Sequence, residues 1–302
     1  MRIVISGGTG FIGKSLTKEL ISNGHEVYIL TRNPEKHKDK ENIHHVQWLR
    51  EGNQPENILV NIDAFINLAG ESINGGRWTD KRKQQILDSR MEATQEMMRM
   101  AKSVQPHTFI NASAIGYYQA SKLITHTEKS QDIANDFLAQ TVKQWEEKAS
   151  EANHLGIRTI YTRFGIILGK DEGALPRIAL PYKLYAGGTV GTGEQWMSWI
   201  HLNDTVRAIR FVLEKNDIQG PINLTAPSPV TMKEFGQTLA KVLNRPHWIP
   251  APAFAIKAAL GEMSTLVLEG QKVIPTVLID HGFLFTYSTL EHALTNIYKN
   301  QY

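Results

Sequence analysis

The residues of this chain best equipped for chemistry come almost at its start. Ser6-Gly7-Gly8-Thr9-Gly10-Phe11-Ile12-Gly13-Lys14-Ser15 places glycines at 7, 10 and 13 and ends in a lysine–serine pair. From Gly7 the stretch reads G-x-x-G-x-x-G, a turn that seats the pyrophosphate of a dinucleotide. From Gly8 it reads G-x-x-x-x-G-K-S, a loop that wraps a nucleoside triphosphate. Both patterns hold phosphate with backbone N–H groups at a helix N-terminus, and both need a strand before the turn and a helix after it.

Those elements are legible. Arg2-Ile3-Val4-Ile5-Ser6 is a short β-branched run that stops at the glycines, as a buried parallel strand does. Ile12, Leu16 and Leu20 recur every four residues, Asn23-Gly24 supplies a left-handed helix end, and His25-Glu26-Val27-Tyr28-Ile29-Leu30 is a second strand. At the end of that strand, where a carboxylate would hold an adenosine ribose 2′-hydroxyl, the chain has Thr31-Arg32. A guanidinium there binds a 2′-phosphate through parallel charge-assisted bonds, with Lys36 in reach, so the expected cofactor is NADP rather than NAD. A solvated loop arginine is the alternative. A triphosphate site would instead turn Lys14 and Ser15 to the phosphates and need a magnesium aspartate after another strand. Asp63 and Asp280 are the candidates, both poorly placed, and this option leaves Gly7 and Gly10 without a role.

The whole chain narrows the classes. It has 302 residues, 41% of them hydrophobic, enough for a substantial core. Its net charge of +3, with signs dispersed, points to neither nucleic acid nor an acidic membrane as partner. With no cysteine there is no disulfide, thiolate metal site or cysteine nucleophile; the eleven histidines show no ligand spacing, and no metal is expected. The opening strand in place of a charged and then apolar leader, and the lack of an 18-residue apolar run, lead to the expectation of a soluble cytoplasmic protein.

Further along, Asp63-Ala64-Phe65-Ile66-Asn67-Leu68-Ala69-Gly70 is another buried strand ending in small residues, which let a flat cofactor approach the backbone. With "GGTGFIG", "INLAG", "NASAIGYY", "YTRFGIILG" and "SWIHLNDTVRAI" in this order, the sequence resembles an extended short-chain dehydrogenase/reductase. It most resembles the atypical branch named the epimerase family, whose members carry a small carboxyl-terminal domain of unknown function. Gly70 to Arg90 and Leu268 to Leu294 are the pieces specific to that branch. The resemblance implies an α/β fold, a Rossmann-like doubly wound parallel sheet with a smaller C-terminal α/β lobe. It implies Thr9, Gly10, Phe11 and Ile12 on the pyrophosphate and Thr31 with Arg32 on the ribose phosphate. Leu68, Ala69 and Gly70 would lie alongside the cofactor, with Ser113, Arg90 and the backbone at Ile166 and Ile167 near the nicotinamide.

The chemistry that the superfamily's enzymes use is incomplete. They pair a serine with a Tyr-x-x-x-Lys helix, in which the lysine lowers the tyrosine pKa. The corresponding helix, Asp136 to Glu146, has no tyrosine. A Tyr-x-x-x-Lys does occur at Tyr118 and Lys122, but five residues past Ser113 the chain is still leaving a strand, so helical spacing is not expected. The candidate catalytic hydroxyls are therefore Ser113, Tyr117 and Tyr118, with no activating partner evident; Ser113 reads equally as a strand-end hydroxyl capping backbone. Arg77, Arg82 and Arg90 follow the "NLAG" strand, with Arg82 and Arg90 on one helix face toward an anionic ligand or toward solvent.

In the second half, Gly156 to Gly165 forms one more strand, Gly187 to Gly193 is a flexible glycine-dense loop read as a lid or a hairpin turn, and Trp196 and Trp199 read as core. Thr231 to Glu234 is a capping box opening a helix that stops before Pro246. The expected organisation is an NADP-binding domain over 1–225, with part of the substrate lobe interleaved after about 170, and a small helical domain over 246–298. Three functions fit: an NADP-dependent oxidoreductase or epimerase acting on a small, anionic molecule; a non-catalytic NADP-responsive sensor or scaffold; and a P-loop-like triphosphatase. The sequence sets no oligomeric state.

Overall fold

The computed structural model describes residues 1–299. Seven parallel strands form its centre: β1 (Arg2–Ser6), β2 (Glu26–Thr31), β3 (Ile43–Gln47), β4 (Ala64–Asn67), β5 (Thr108–Ala114), β6 (Arg158–Phe164) and β7 (Gly220–Leu224). Their order across the sheet is β7-β6-β5-β4-β1-β2-β3, so the direction of winding reverses between β1 and β4. That reversal opens a crevice at the carboxyl ends of the strands, and ligands of doubly wound sheets bind there.

Period-two alternation assigns each strand residue to a face, and both faces are covered. Ile3, Ile5, Val27, Ile29, Ile66, Ile110, Ile160 and Ile222 pack with Leu16 and Leu20 of α1 (Phe11–Ser22) and with Val206, Ile209 and Val212 of the helix Leu202–Glu214. On the other face Val4, Tyr28, Leu30, Phe65 and Phe109 meet Ala93, Met97 and Ala101 of α2 (Asp80–Val104) and Ala149 at the end of α3 (Phe137–Ala149). The apolar runs read as strands are apolar throughout because neither face is wet.

Gly24 takes a φ of 79° after α1, the left-handed end that Asn23-Gly24 predicts. Asn61 takes a φ of 53°, which asparagine tolerates and a strand does not, so Leu59–Ile62 is a loop and β4 begins at Ala64. The capping box at Thr231 and Glu234 is formed and starts the helix Met232–Leu243. Trp199 is fully buried, whereas Trp196 is half-buried with its indole N–H on the Lys122 carbonyl.

The glycine-dense loop differs from its reading as a flexible lid. A Cβ at Gly188 would strike the Ile249 backbone and one at Gly187 the Tyr182 ring, and the Gly191 N–H donates to the Ala251 carbonyl at 2.9 Å. The glycines allow close packing against the 247–251 segment, so the loop is pinned. The carboxyl segment is equally tied in. Leu290, Ala293 and Leu294 of the helix Leu290–Lys299 share a core with Trp199, Phe235 and Leu239. Asp204, fully buried, accepts the N–H groups of Thr286 at 3.0 Å and Tyr287 at 2.8 Å and pairs with Arg207 at 2.8 Å.

Asp204 thus clamps the carboxyl segment to the sheet's helical layer. Asp204→Ala leaves the Arg207 guanidinium and two part-buried amides without their acceptor and is expected to cost about 2–5 kcal/mol, read as a lower urea midpoint, with faster proteolysis between 281 and 289. An unchanged midpoint would remove Asp204 from this role.

Candidate functional site

The phosphate turn is shaped by contacts that exclude side chains. Gly7 has a φ of 71°, and a Cβ there would lie 2.8 Å from the Leu68 carbonyl carbon, so only glycine lets the turn sit against the end of β4. A Cβ at Gly13 would fall on the Gly7 carbonyl oxygen, which is what brings α1 close to β1. Thr9 and Gly10 are exposed, and Gly10 caps α1 with no side-chain bond and no acidic residue in the first turn. The helix therefore offers the crevice free N–H groups and the positive end of its dipole, a fit for a pyrophosphate. Phe11 turns aside to pack on Gly169 and Gly173, and Ile12 joins the core beside α1.

Lys14 does not serve this turn. Its ammonium is exposed and pairs with Glu172 at 3.2 Å. Asp63 sits at the opposite, amino-terminal end of β4, accepting the Arg2 N–H at 2.7 Å, and Asp280 is exposed at the end of a short helix. The triphosphate pattern has neither its lysine nor its magnesium ligand in place.

The other predicted cofactor residues share one edge of the sheet. Thr31 ends β2 beside the turn, its hydroxyl accepting the Asn33 N–H at 3.3 Å. Arg32 follows, exposed and without an ion pair among the described residues. Arg50, which the sequence reading missed, reaches the same loop through Asn33 at 3.2 Å. On the far side of the switch point Leu68, Ala69 and Gly70 follow β4, and Arg90 of α2 lies against Gly70. The Arg90 guanidinium donates to the carbonyls of Glu71 at 3.0 Å and Ile86 at 2.8 Å and faces the Trp145 ring at 5.0 Å. It has no carboxylate partner among the described residues, and burial pulls its pKa down to about 10. Arg82 meets the same turn through the Glu71 side chain and the Ser72 carbonyl, whereas Arg77 caps the helix Ala253–Leu260 instead. Ile167 lies in a short strand, Ile166–Leu168, beyond β6.

Ser113, 2% exposed near the end of β5, does not cap backbone. Its hydroxyl donates to Glu146 Oε1 of α3 at 2.5 Å, and the Glu146 carboxylate receives Arg163 Nε at 2.8 Å and Nη2 at 2.7 Å. Arg163, from β6, also stacks 3.6 Å from the centre of the Tyr117 ring and donates to the Tyr118 hydroxyl at 2.9 Å. Burial lowers the Arg163 pKa, but its bonds and attraction to Glu146 and Tyr118 outweigh that and hold it above the ordinary arginine value. Tyr118 is fully buried and donates onward to Asn223 at 2.8 Å; burial pushes its pKa up against the pull of Arg163 and Asn223. Lys122 is exposed and bound to Glu194, so Tyr118 and Lys122 form no pair. Tyr117 is half-buried.

At the start of α3, beside Gly116, stand Phe137 and Leu138. They pack with Trp78, Ile86 and Met263, and Leu138 Cβ lies 3.6 Å from where a Cβ of Gly116 would be. The hydroxyl this helix carries, that of Thr141, donates to the Phe137 carbonyl at 2.8 Å and does not replace the missing tyrosine. Glu146 and Arg163 went unnoticed in the sequence, though signals existed. Arg163 interrupts an apolar strand, and Glu146 falls on the α3 face of Ala139 and Val142.

Residues 3–224 match the NAD dependent epimerase/dehydratase family, and residues 251–297 match a domain of unknown function, DUF1731. The chain belongs to that epimerase/dehydratase family. An epimerase family protein of Bacillus subtilis, YfhF, is 51% identical over 299 residues, covering 98% of each chain. Among solved structures, human epimerase family protein SDR39U1, determined with NADPH, is 33% identical with a TM-score of 0.87 over the whole of both chains. A nucleoside-diphosphate sugar epimerase of Corynebacterium glutamicum is 29% identical with a TM-score of 0.78, over 98% of this chain and 58% of that one. The family's Rossmann-like nucleotide-binding fold is thus this chain's fold, and no described helix is long and apolar enough to cross a membrane.

Because the Lys14–Glu172 pair is exposed, such contacts contribute about 0–1 kcal/mol. Lys14→Ala is expected to change dinucleotide affinity less than about threefold in a fluorescence titration. Loss of binding in that variant would restore the lysine to the phosphates.

Proposed function

We propose that the chain binds NADP(H) and is an NADP-dependent oxidoreductase or epimerase that works without the Tyr-x-x-x-Lys pair. One observation carries the cofactor choice: the side chain following β2 beside the glycine turn is Arg32, exposed and without an ion pair among the described residues, where NAD-binding folds place an acid. In this reading Gly7, Gly10 and Gly13 shape the pyrophosphate site, Arg32 takes the 2′-phosphate, and Ala69, Gly70, Ser113 and Ile167 border the nicotinamide. The NADPH in the human structure supports the same choice. Arg82 and Arg90, above the turn after Gly70, favour a small anionic substrate.

A second reading, an NADP-responsive sensor or scaffold without turnover, draws on Phe137 and Leu138, which fill the start of α3 with packed hydrocarbon. The nucleotide that co-purifies, identified by mass, together with the rate at which bound NADPH is reoxidised by a panel of carbonyl compounds, separates the two. Tight retention with no reoxidation favours the sensor.

Arg32→Asp removes charge-assisted bonds of about 1.5–3 kcal/mol each and adds a repelling charge. NADP(H) affinity is expected to fall roughly fiftyfold or more while NAD(H) affinity changes less than about threefold, measured by calorimetry. Equal loss of both nucleotides would sink the 2′-phosphate assignment.

A further inference from the structure

The Ser113–Glu146–Arg163 unit has a polarity that its hydrogen-bond directions fix. A serine hydroxyl carries one hydrogen. Ser113 gives it to Glu146, so its remaining lone pairs are all that it offers on any other side. Behind the hydroxyl stands a carboxylate, and behind the carboxylate, on the side of β6, stands Arg163. The pair is charge-compensated as a whole, but its negative end is turned to Ser113 and its positive end to Tyr117 and Tyr118. Both partners are nearly buried, with side chains 5% and 12% exposed, so water screens this dipole weakly.

Sheet order says what the negative end faces. Ser113 is on β5, two strands from the Gly7 turn on β1 and on the side away from Arg32 on β2. At about 4.8 Å per strand that is roughly 10 Å along the crevice. A dinucleotide with its pyrophosphate on the turn and its adenosine toward Arg32 brings its other base to this end. The nicotinamide ring is the part of that ligand whose charge changes, being cationic when oxidised and neutral when reduced.

We infer that Glu146 is a positioning residue that biases the site toward the oxidised, cationic nicotinamide, acting through the Ser113 hydroxyl, with Arg163 limiting the bias. This rests on the NADP(H) reading above. Glu146 fixes Ser113 as an acceptor toward the cofactor and supplies the negative charge bonded to that hydroxyl. Arg163 keeps that charge from being an unpaired ion in the core, which would be far costlier. No tyrosine or lysine is needed for this device, and none stands at the start of α3.

The test needs only the cofactor. Dissociation constants for NADP⁺ and NADPH are measured on the full chain for wild type, Glu146→Gln, Arg163→Met and the double variant. Glu146→Gln leaves Arg163 uncompensated, and this change of one unit of charge behind Ser113 is expected to shift the ratio roughly tenfold in favour of NADPH. For a two-electron couple this equals a rise of about 30 mV in the bound cofactor's potential. Arg163→Met is expected to shift the ratio the opposite way, which keeps the test intact if Glu146→Gln does not fold. The double variant, with no unpaired charge, is expected to lie between the single variants. If the variants weaken both nucleotides equally and leave the ratio unchanged, Glu146 and Arg163 hold the fold only and the inference fails. If wild type binds neither nucleotide, the cofactor reading fails first, and this inference with it.

Discussion

The carboxamide of Asn67 is the joint on which the crevice depends. It is fully buried at the end of β4, and its hydrogen-bonding capacity is fully used. The oxygen accepts from the Ser6 hydroxyl at 2.6 Å and the Ala69 N–H at 3.3 Å; the nitrogen donates to Thr94 at 3.0 Å and Asn111 at 2.8 Å. One side chain thereby registers β1, β4, β5 and α2 where they end. Thr94 extends the set, accepting the Trp145 indole N–H at 2.9 Å and donating to the Arg90 carbonyl at 2.8 Å. The glycine turn, the Gly70 turn, Arg90, Ser113 and α3 are positioned from this network. A buried polar network this fully satisfied specifies one arrangement, since any slip leaves unpaired groups in a low-dielectric interior.

Two kinds of buried polarity then divide the labour. The neutral network around Asn67 sets geometry and carries no net charge. The Glu146–Arg163 pair, bridging α3 and β6, sets charge. Buried ion pairs rarely add much stability beyond a hydrophobic replacement, because desolvation offsets most of the attraction. What such a pair supplies is direction, and here it decides which way the Ser113 hydrogen points. Arg90 is a different case: a half-buried guanidinium bonded only to carbonyls retains attraction for an anion, and its partial removal from water is what lowers its pKa.

The fold was legible because its signals are local. β1, β2 and β4 announce themselves as apolar runs and α1 by a four-residue period, whereas β3, Ile43-His44-His45-Val46-Gln47, carries no such signal and was not read. The cofactor turn was legible because glycine is the only residue that meets its packing, which leaves a mark in sequence. The Ser113 environment was not. Glu146 and Arg163 lie 33 and 17 residues from the partners they bind, Ser113 and Glu146 respectively, and their juxtaposition comes from neighbouring strands and a covering helix. Long-range pairs of charges leave only a weak trace, an arginine inside a strand and a glutamate on an apolar helix face. The glycine loop at 187–193 misled for a related reason. Glycine permits both flexibility and close approach, and only the neighbour, here Ile249, decides which.

The double fit of "GGTGFIGKS" has the same origin. Both phosphate patterns ask for glycines before a helix, so the ten residues from Ser6 to Ser15 alone do not divide them. The division lies in where the residues after the turn point and in what stands at the ends of the neighbouring strands. Lys14 falls on the outer side of α1, reaching Glu172. The carboxylate after Ile62 falls at the wrong end of β4, bound to the Arg2 backbone. Meanwhile Arg32, Ala69, Gly70 and Ser113 line up along one edge of the sheet in the order β2, β4, β5, a row longer than a triphosphate needs and suited to two linked nucleotides. A motif fixes the contact with phosphate, and the sheet's winding order fixes the length and polarity of what the phosphate belongs to.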